Sequence, residues 1–567
     1  MDDRARLIAV ARGDEAPDLV IAGARVLSVF TREWLELDVA VAGGRIAGLG
    51  SYDGGERVDA GGRWLVPGFI DAHVHIESSK LTPAEFARAV VPHGTTAVVT
   101  DPHEVANVLG REGVEWMLDA SEDLPLDVFV MAPSCVPASD FESPLCPLEP
   151  EDMEAILRHP RALGVAEMMN FPGVIAGAPS QVERLSLSDH VDGHAPGVGG
   201  RALDAYIAAG IRSDHEATTL EEALEKRRRG MWVLIREASN ARNLLDLLPL
   251  VARFGPEHCA FCTDDREPDL LYREGHIDQM CRIAVAEGVA PEDALLMATL
   301  HGARAHGLLD RGAIAPGLRA DLVLLDELEG FRVAAVYKDG TLVASEGRAL
   351  DFPRPRVPGW VRETMRIAPV DPSTFAIPAE SARVRVIETV PAQLITHARE
   401  DAPAVVDGEV VADPSRDLAK IAVIERHHAT GRVGRGLVRG FGLSAGAFAS
   451  TVAHDAHNLV VVGVDDASMA ACATWLQEIG GGIAVARDGA VRGELPLPVA
   501  GLLSEEPVEA VVERLEALHA MLGEQGVRDP APFMTLSFLA LSVIPSLKIT
   551  DRGLVDVDRF QLVSLAV

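Results

Sequence analysis

Basic side chains are in short supply. The 567 residues carry 52 Lys and Arg against 85 Asp and Glu, a formal charge of −33. Such a chain repels polyanions, which argues against nucleic acid or an anionic membrane surface as a partner and leaves neutral small molecules open. Cysteine is scarce too: six residues at 135, 146, 259, 262, 281 and 472 are too few and too scattered for a disulfide framework. No uninterrupted apolar run is long enough to span a bilayer. The opening MDDRARLIAVARGDEAPD has neither the basic start nor the apolar core and cleavage site of a signal peptide. Repeats and low-complexity tracts are missing. The resulting expectation is a soluble cytoplasmic protein, with enough chain for more than one core.

What is present is ordered. Residues 18–66 hold short alternating apolar runs cut by glycine (DLVIAGARVLS, ELDVAVAGGRIAGLG, GGRWLVPG), the pattern of a small antiparallel β unit. The same texture returns at 312–351, in GAIAPGLRADLVLLD and FRVAAVYKDGTLVA. Two β segments around a long central region predict one small composite β-sandwich domain, built from 1–66 and 312–351, with 67–311 inserted into it. Within the insertion, eight apolar runs end near His75, Thr100, Ala132, Glu167, His194, His215, Arg236 and Asp264, each followed by a helical pattern. That rhythm predicts an α/β fold, a (β/α)8 TIM barrel. Thr82-Pro83-Ala84-Glu85 and Thr219-Leu220-Glu221-Glu222 offer helix starts, each with a capping hydroxyl and a carboxylate reaching back. A linker is expected at 352–364, opening on FPRPRVPGW, and 365–567 alternates strands and helices as an additional α+β domain.

The ends of the eight runs carry the chemistry. The first reads Asp71-Ala72-His73-Val74-His75, and alternate residues of a strand face one side, so both imidazoles point into the barrel mouth. The fourth ends at Glu167, the fifth at His194, the sixth at His215 and the eighth at Thr263-Asp264-Asp265. Barrel enzymes build their sites at the carboxyl ends of strands, where His73, His75, His194, His215, Glu167 and Asp264 would converge. One histidine at a strand end is usually a hydrogen-bonded scaffold residue. Six ligand-type side chains at the right strand ends instead predict a metal centre suited to Zn, Fe or Mn. Asp265, next along an extended segment, is expected to point the other way.

Other signals are weaker. His103 and Glu104, after the second run, are candidate substrate or further metal contacts, with a loop-fixing hydrogen-bond pair as the equal alternative. Arg236 and Glu237, with Ser239 and Asn240, follow the seventh run and are candidate substrate contacts. His75-Ile76-Glu77 with Cys259-Ala260-Phe261-Cys262 has the outline of a cytidine-type zinc site, but the cysteine pair follows His258 rather than proline and reads as core. Glu425, His427, His428, His454, Asp455 and His457 read as surface or scaffold clusters in preference to the alternative, a contribution to the active site.

Over residues 18–350 the sequence resembles the amidohydrolase superfamily, through PGFIDAHVHIE at 67–77, the two later histidine strands, TDD at 263–265 and GAIAPGLRADLVLLD at 312–326. Within that superfamily it is similar to the adenine deaminases of bacterial type. The segments concerned are HVHIESSKLTPAEFARAVVPHGTTAVVTDPHEVANVLG at 73–110, VAEMMNFPGV at 165–174, DGHAPG at 192–197, SDHEAT at 213–218 and CTDD at 262–265. The last third joins them with HDAHNLVVVG at 454–463 and FMTLSFLALSVIPSLKITDRGLVDV at 533–557. The resemblance implies a hydrolase with a mono- or binuclear metal centre that activates a hydroxide, binuclear manganese or iron being expected and zinc sharing the same ligands.

The implied reaction is hydrolytic deamination of adenine to hypoxanthine and ammonia, in purine salvage and adenine catabolism. His73, His75 and Asp264 would hold one metal and His194 and His215 a second, with Glu167 near both. Asp264 and Glu167 are the candidate catalytic proton shuttles. Many superfamily members carry a bridging carbamylated lysine after the fourth strand, where this chain has Glu167, so Glu167 is either a bridge or a proton donor. The expected partners are adenine and further copies of the chain, in a dimer or larger homo-oligomer. One alternative is a cyclic amidohydrolase of the dihydroorotase or hydantoinase kind, which would want that lysine. The other is a non-catalytic barrel scaffold, which would have lost ligands that are all present here.

Overall fold

The computed structural model describes residues 3–391 and 393–567. At its centre stand eight parallel strands: β1 (Phe69–Val74), β2 (Thr95–Thr100), β3 (Asp127–Ala132), β4 (Ala162–Met168), β5 (Val191–Gly193), β6 (Ser213–Asp214), β7 (Trp232–Arg236) and β8 (Cys259–Cys262). β1 to β5 pair in sequence order, and so do β6 to β8. Two seams close the ring. Val74 bridges Asp264 in parallel, with the Asp264 N–H donating to His73 O at 2.9 Å. At the other seam the Arg212 N–H donates to Val191 O at 3.1 Å. β2 and β8 are buried at every position, as parallel strands covered on both faces must be. Ile70, Ala97, Val99, Met131 and Ala166 form an apolar cluster separate from that of Val98, Val128, Val233 and Ile235, which packs with helices Leu244–Phe254 and Ile277–Ala286. Every strand ends within two residues of the position expected from sequence.

Strands from before and after the barrel join in one nine-stranded sheet, where Leu322–Glu327 pairs antiparallel with Trp64–Pro67. Leu19, Ile21, Val39, Ile46, Leu65 and Leu322 fill its core. Of the two expected helix starts, one forms as read: Thr219 caps Leu220–Arg228, its hydroxyl accepting the Glu222 N–H at 3.3 Å. The other does not. Thr82 makes no side-chain cap on Pro83–Val90, and Glu85 accepts the Val508 N–H at 3.0 Å instead of reaching back. A partner more than 400 residues away displaces the local bond.

The C-terminal part is built on an eight-stranded sheet with a helix on each face. Along its strand Leu459–Gly463, alternation sends Leu459 and Val461 towards helix Asp466–Glu478, and Val460 and Val462 towards the core shared with Val508–Glu524. From this part, Ala531, Met534, Phe538, Leu541 and Ile544 pack on Cys135, Ala138 and Met169 beside β3 and β4. All six cysteines are free, and Cys259 and Cys262 are core residues of β8, as expected. Among the described residues no helix is long and apolar enough to cross a membrane.

Candidate metal centre

Six side chains meet at the carboxyl end of the barrel, all of them buried. Alternation along β1 turns His73 and His75 the same way, and their Nε2 atoms lie 3.2 Å apart. Glu167, next to last in β4, sits among five imidazoles, His103 among them. Its Oε1 is 3.3 Å from His75 Nε2 and 3.8 Å from His73 Nε2, while its Oε2 is 2.7 Å from His194 Nδ1 and 3.3 Å from His215 Nε2. His194 and His215 are the residues that follow β5 and β6. Beyond β8, Asp264 places Oδ1 3.2 Å from His75 Nε2 and 3.7 Å from His73 Nε2.

The donor set fits a divalent metal. His75 Nδ1 lies 2.9 Å from Asp101 O and donates its proton there, so Nε2 is the atom turned to His73 Nε2 and two carboxylates; against burial, those carboxylates hold the imidazole well above its ordinary range, which calls for a proton or a cation at that nitrogen. Lone pairs directed at one another this closely repel unless a cation or a proton stands between them. Burial opposes charge on Glu167, yet the hydrogen bonds from His194 and His215 hold it well below the ordinary carboxylate range. Burial likewise opposes charge on Asp264, but His75 and Arg236 keep it ionised. Burial, with His215 stacked 4.1 Å away, holds His73 neutral, the form a metal takes.

The remaining candidates divide. Arg236 lines the cleft, but its guanidinium is committed to Asp264 Oδ2 at 2.8 Å, to Glu216 and to Asn243. Glu237 turns away, 3.9 Å from Arg242. His103 Nδ1 pairs with Asp101 Oδ2 at 3.1 Å and lies 3.7 Å from Glu167 Oε1; Glu104 Oε1 lies 3.0 Å from Ser78 Oγ. Asp265 corrects an expectation. Asp264 has φ +55°, a left-handed conformation that breaks strand alternation, so Asp265 also faces the cleft and accepts from Ser78 at 2.5 Å. The C-terminal histidines correct another: His454 and Asp455 line the same cleft, whereas Glu425 accepts the N–H groups of His427, His428 and Thr430 in a scaffold role. Glu216, which sequence reasoning passed over, touches His215 at 3.5 Å and holds Arg236. Its one signal was adjacency to His215.

Met169, Leu394, Phe538, Leu541 and Ile544 give the same cleft an apolar lining, with the Phe538 ring stacked on His454 at 4.5 Å. A larger groove of about 740 Å³ runs past Ser134, Glu142, Asn170, Arg184 and Arg552, but it holds none of the six side chains that meet at the barrel mouth.

Comparison with known proteins agrees with this geometry. The profile of the amidohydrolase family matches residues 64–343, and that of the adenine deaminase C-terminal domain matches residues 393–561. Adenine deaminase 2 of Carboxydothermus hydrogenoformans is 47% identical over 564 residues, covering 99% of each chain. The adenine deaminase of Desulfatibacillum aliphaticivorans is 48% identical over the whole of both chains, and that of Cereibacter sphaeroides 49% identical over 98% of each. Identity at this level runs through the barrel and the C-terminal part alike: the chain belongs to the adenine deaminase family of the amidohydrolases.

Proposed function

We propose that the chain hydrolyses adenine to hypoxanthine and ammonia. The observation that carries the chemistry is Glu167, one carboxylate whose Oε1 faces His73, His75 and His103 and whose Oε2 faces His194 and His215. That supports a centre of two divalent ions, manganese or iron with zinc compatible: His73, His75 and Asp264 would hold one and His194 and His215 the other, with Glu167 within reach of both. When bound, such ions lower the pKa of water and make a nucleophile available at neutral pH.

The protein's own groups do the rest. The apolar side chains of Leu394, Phe538, Leu541 and Ile544 pack against the purine and exclude bulk water. Asp264, held ionised by His75 and Arg236, takes the proton that the attacking water must lose and passes it to the ring nitrogen or to the departing amine. Arg236 orients Asp264 rather than reading the substrate. The substrate assignment rests on family membership, which also supports a place in purine salvage and adenine catabolism in the cytoplasm, and a homo-oligomer.

The test is ammonia release from adenine, adenosine, dihydroorotate and hydantoin, using enzyme stripped and reloaded separately with Mn, Fe and Zn. Adenine should have the highest specificity constant, well above adenosine. Equal turnover of adenosine, or preference for a cyclic amide, would overturn the assignment.

A further inference from the structure

A second buried cluster lies on the far side of the His103 ring from Glu167, built half from the barrel and half from the C-terminal part. His103 and Glu104 follow β2; His454 and Asp455 come from the loop after strand Ala447–Ser450, some 350 residues later. All four are buried. His103 gives its Nδ1 proton to Asp101 Oδ2 at 3.1 Å, so in the neutral ring, the form a metal takes, Nε2 presents a lone pair, and that nitrogen has no hydrogen-bond partner. A carboxylate behind the imidazole is the arrangement that orients metal-ligating histidines. The Nε2 atom looks at Asp455 Oδ1, 3.6 Å away; His454 Nδ1 lies 3.6 Å from the same oxygen and 3.8 Å from Glu104 Oε1. Asp455 Oδ2, Glu104 Oε2 and His454 Nε2 are buried without partners as well.

These separations are too long for hydrogen bonds. They lie near the edge of about 3.4 Å expected between ligands of a tetrahedral cation with bonds of about 2.1 Å. We propose that His103 Nε2, His454 Nδ1 and Asp455 Oδ1, with Glu104 beside them, hold a divalent transition-metal ion additional to those at Glu167. Mixed imidazole and carboxylate donors suit Zn, Mn or Fe rather than Ca or Mg. His457 is a positioning residue. Its Nδ1 accepts the Ala453 N–H at 3.0 Å, so its Nε2 carries the proton and directs it at Glu104 Oε2, 3.6 Å away. Three barrel and C-terminal carboxylates, Glu104, Asp265 and Asp455, lie within 3.8 Å of the His454 ring nitrogens. An ion here ties the 451–458 loop, and with it one wall of the cleft, to the barrel.

The test counts metal. Full-length protein is stripped with a chelator, reloaded with Zn²⁺ alone and analysed for zinc per chain, beside His454→Ala, Asp455→Asn and the barrel variant His73→Ala/His75→Ala. Wild type should bind one equivalent more than either C-terminal variant, and the barrel variant should keep that equivalent. Crystals of the loaded wild type, measured at the zinc edge, should show an anomalous peak about 2.1 Å from His103 Nε2. Folded His454→Ala and Asp455→Asn with the full wild-type zinc content would overturn the proposal. So would a map with a peak at Glu167 and none between His103 and Asp455, which decides the matter if the variants do not fold. A peak at His103 with none at Glu167 would leave this inference standing and count against the proposed reaction; a map with neither would count against both.

Discussion

Replacing Asp264 by asparagine isolates one oxygen's charge with little change of shape. In the folded protein Oδ1 lies 3.2 Å from His75 Nε2, and Oδ2 accepts from Arg236 at 2.8 Å. The amide keeps an acceptor for Arg236 but cannot take a proton from water, and it is a poor metal ligand. Loss of acid–base catalysis is worth about 10²–10⁴-fold. Weakening a ligand adds to this, so kcat should fall at least about a thousandfold, or about 4 kcal/mol of barrel-mouth catalysis. Stability should change far less than the 3–5 kcal/mol typical of a broken buried pair, because Arg236 retains Glu216 and Asn243. Asp265→Asn is the comparison. It removes charge from a group that meets Ser78 and His454, and should cost about ten- to a hundredfold, the scale of one charge-assisted hydrogen bond. The assay is ammonia release at saturating adenine, with metal content and thermal midpoint measured on the same preparations. A loss under tenfold in metal-replete Asp264→Asn would refute the shuttle, and the larger loss in Asp265→Asn would transfer the role to that residue.

Glu167→Gln should lose at least one equivalent of metal along with activity; retention of wild-type metal content and kcat would remove the bridging role. A chain ending near residue 350 should be insoluble or inactive, because it uncovers Cys135, Ala138 and Met169 and removes the cleft's apolar wall; a soluble fragment with full specific activity would count against that. Buried Lys548 donates to Leu394 O at 2.7 Å and Phe538 O at 3.0 Å, and burial pushes its pKa down from 10.5 to about 7. Between those values the unfolded chain binds the extra proton, so stability rises with pH across the window, by up to about 1.4 kcal/mol per unit. Denaturant unfolding of wild type and Lys548→Met at pH 7, 8 and 9 should therefore diverge with pH, and parallel curves would refute the assignment.

The barrel was legible because its physics is local. An apolar run bounded by turn residues reads as a strand wherever it sits, and the residues at its end are known once the run is known. His73, His75, Glu167, His194 and His215 all came from that reading, and all meet. Failure began where local rules met long-range ones. Glu85 sits where a capping box puts a carboxylate, yet Val508 offered it an N–H from another part of the fold. Asp265 was assigned outward by alternation, which presumes extended backbone, and the left-handed turn at Asp264 ends that two residues beyond β8.

His454 and Asp455 mark a harder limit. They lie in an irregular loop with no period to read, and a histidine there carries the same local signature whether it faces solvent or a metal. What distinguishes them is what surrounds them: both are buried, and Asp455 Oδ1 stands 3.6 Å from a histidine of the second barrel unit. Burying these groups without partners would be strongly unfavourable, each unsatisfied polar atom costing about 1–3 kcal/mol. A fold that brings His103, His454 and Asp455 together must therefore supply compensation at that point. The apolar contacts of Phe538, Leu541 and Ile544 with Met169 seat the C-terminal part against the barrel but offer nothing polar to those atoms. The wall of the cleft is thus held by two different forces, hydrophobic packing on one side and a charged cluster on the other. Only the second responds to metal. Removing metal should loosen the 451–458 loop before it loosens the helix Pro532–Phe538, and amide exchange measured with and without chelator reads the two segments separately. Equal protection of the loop in both conditions would mean that the cluster satisfies itself with protons alone.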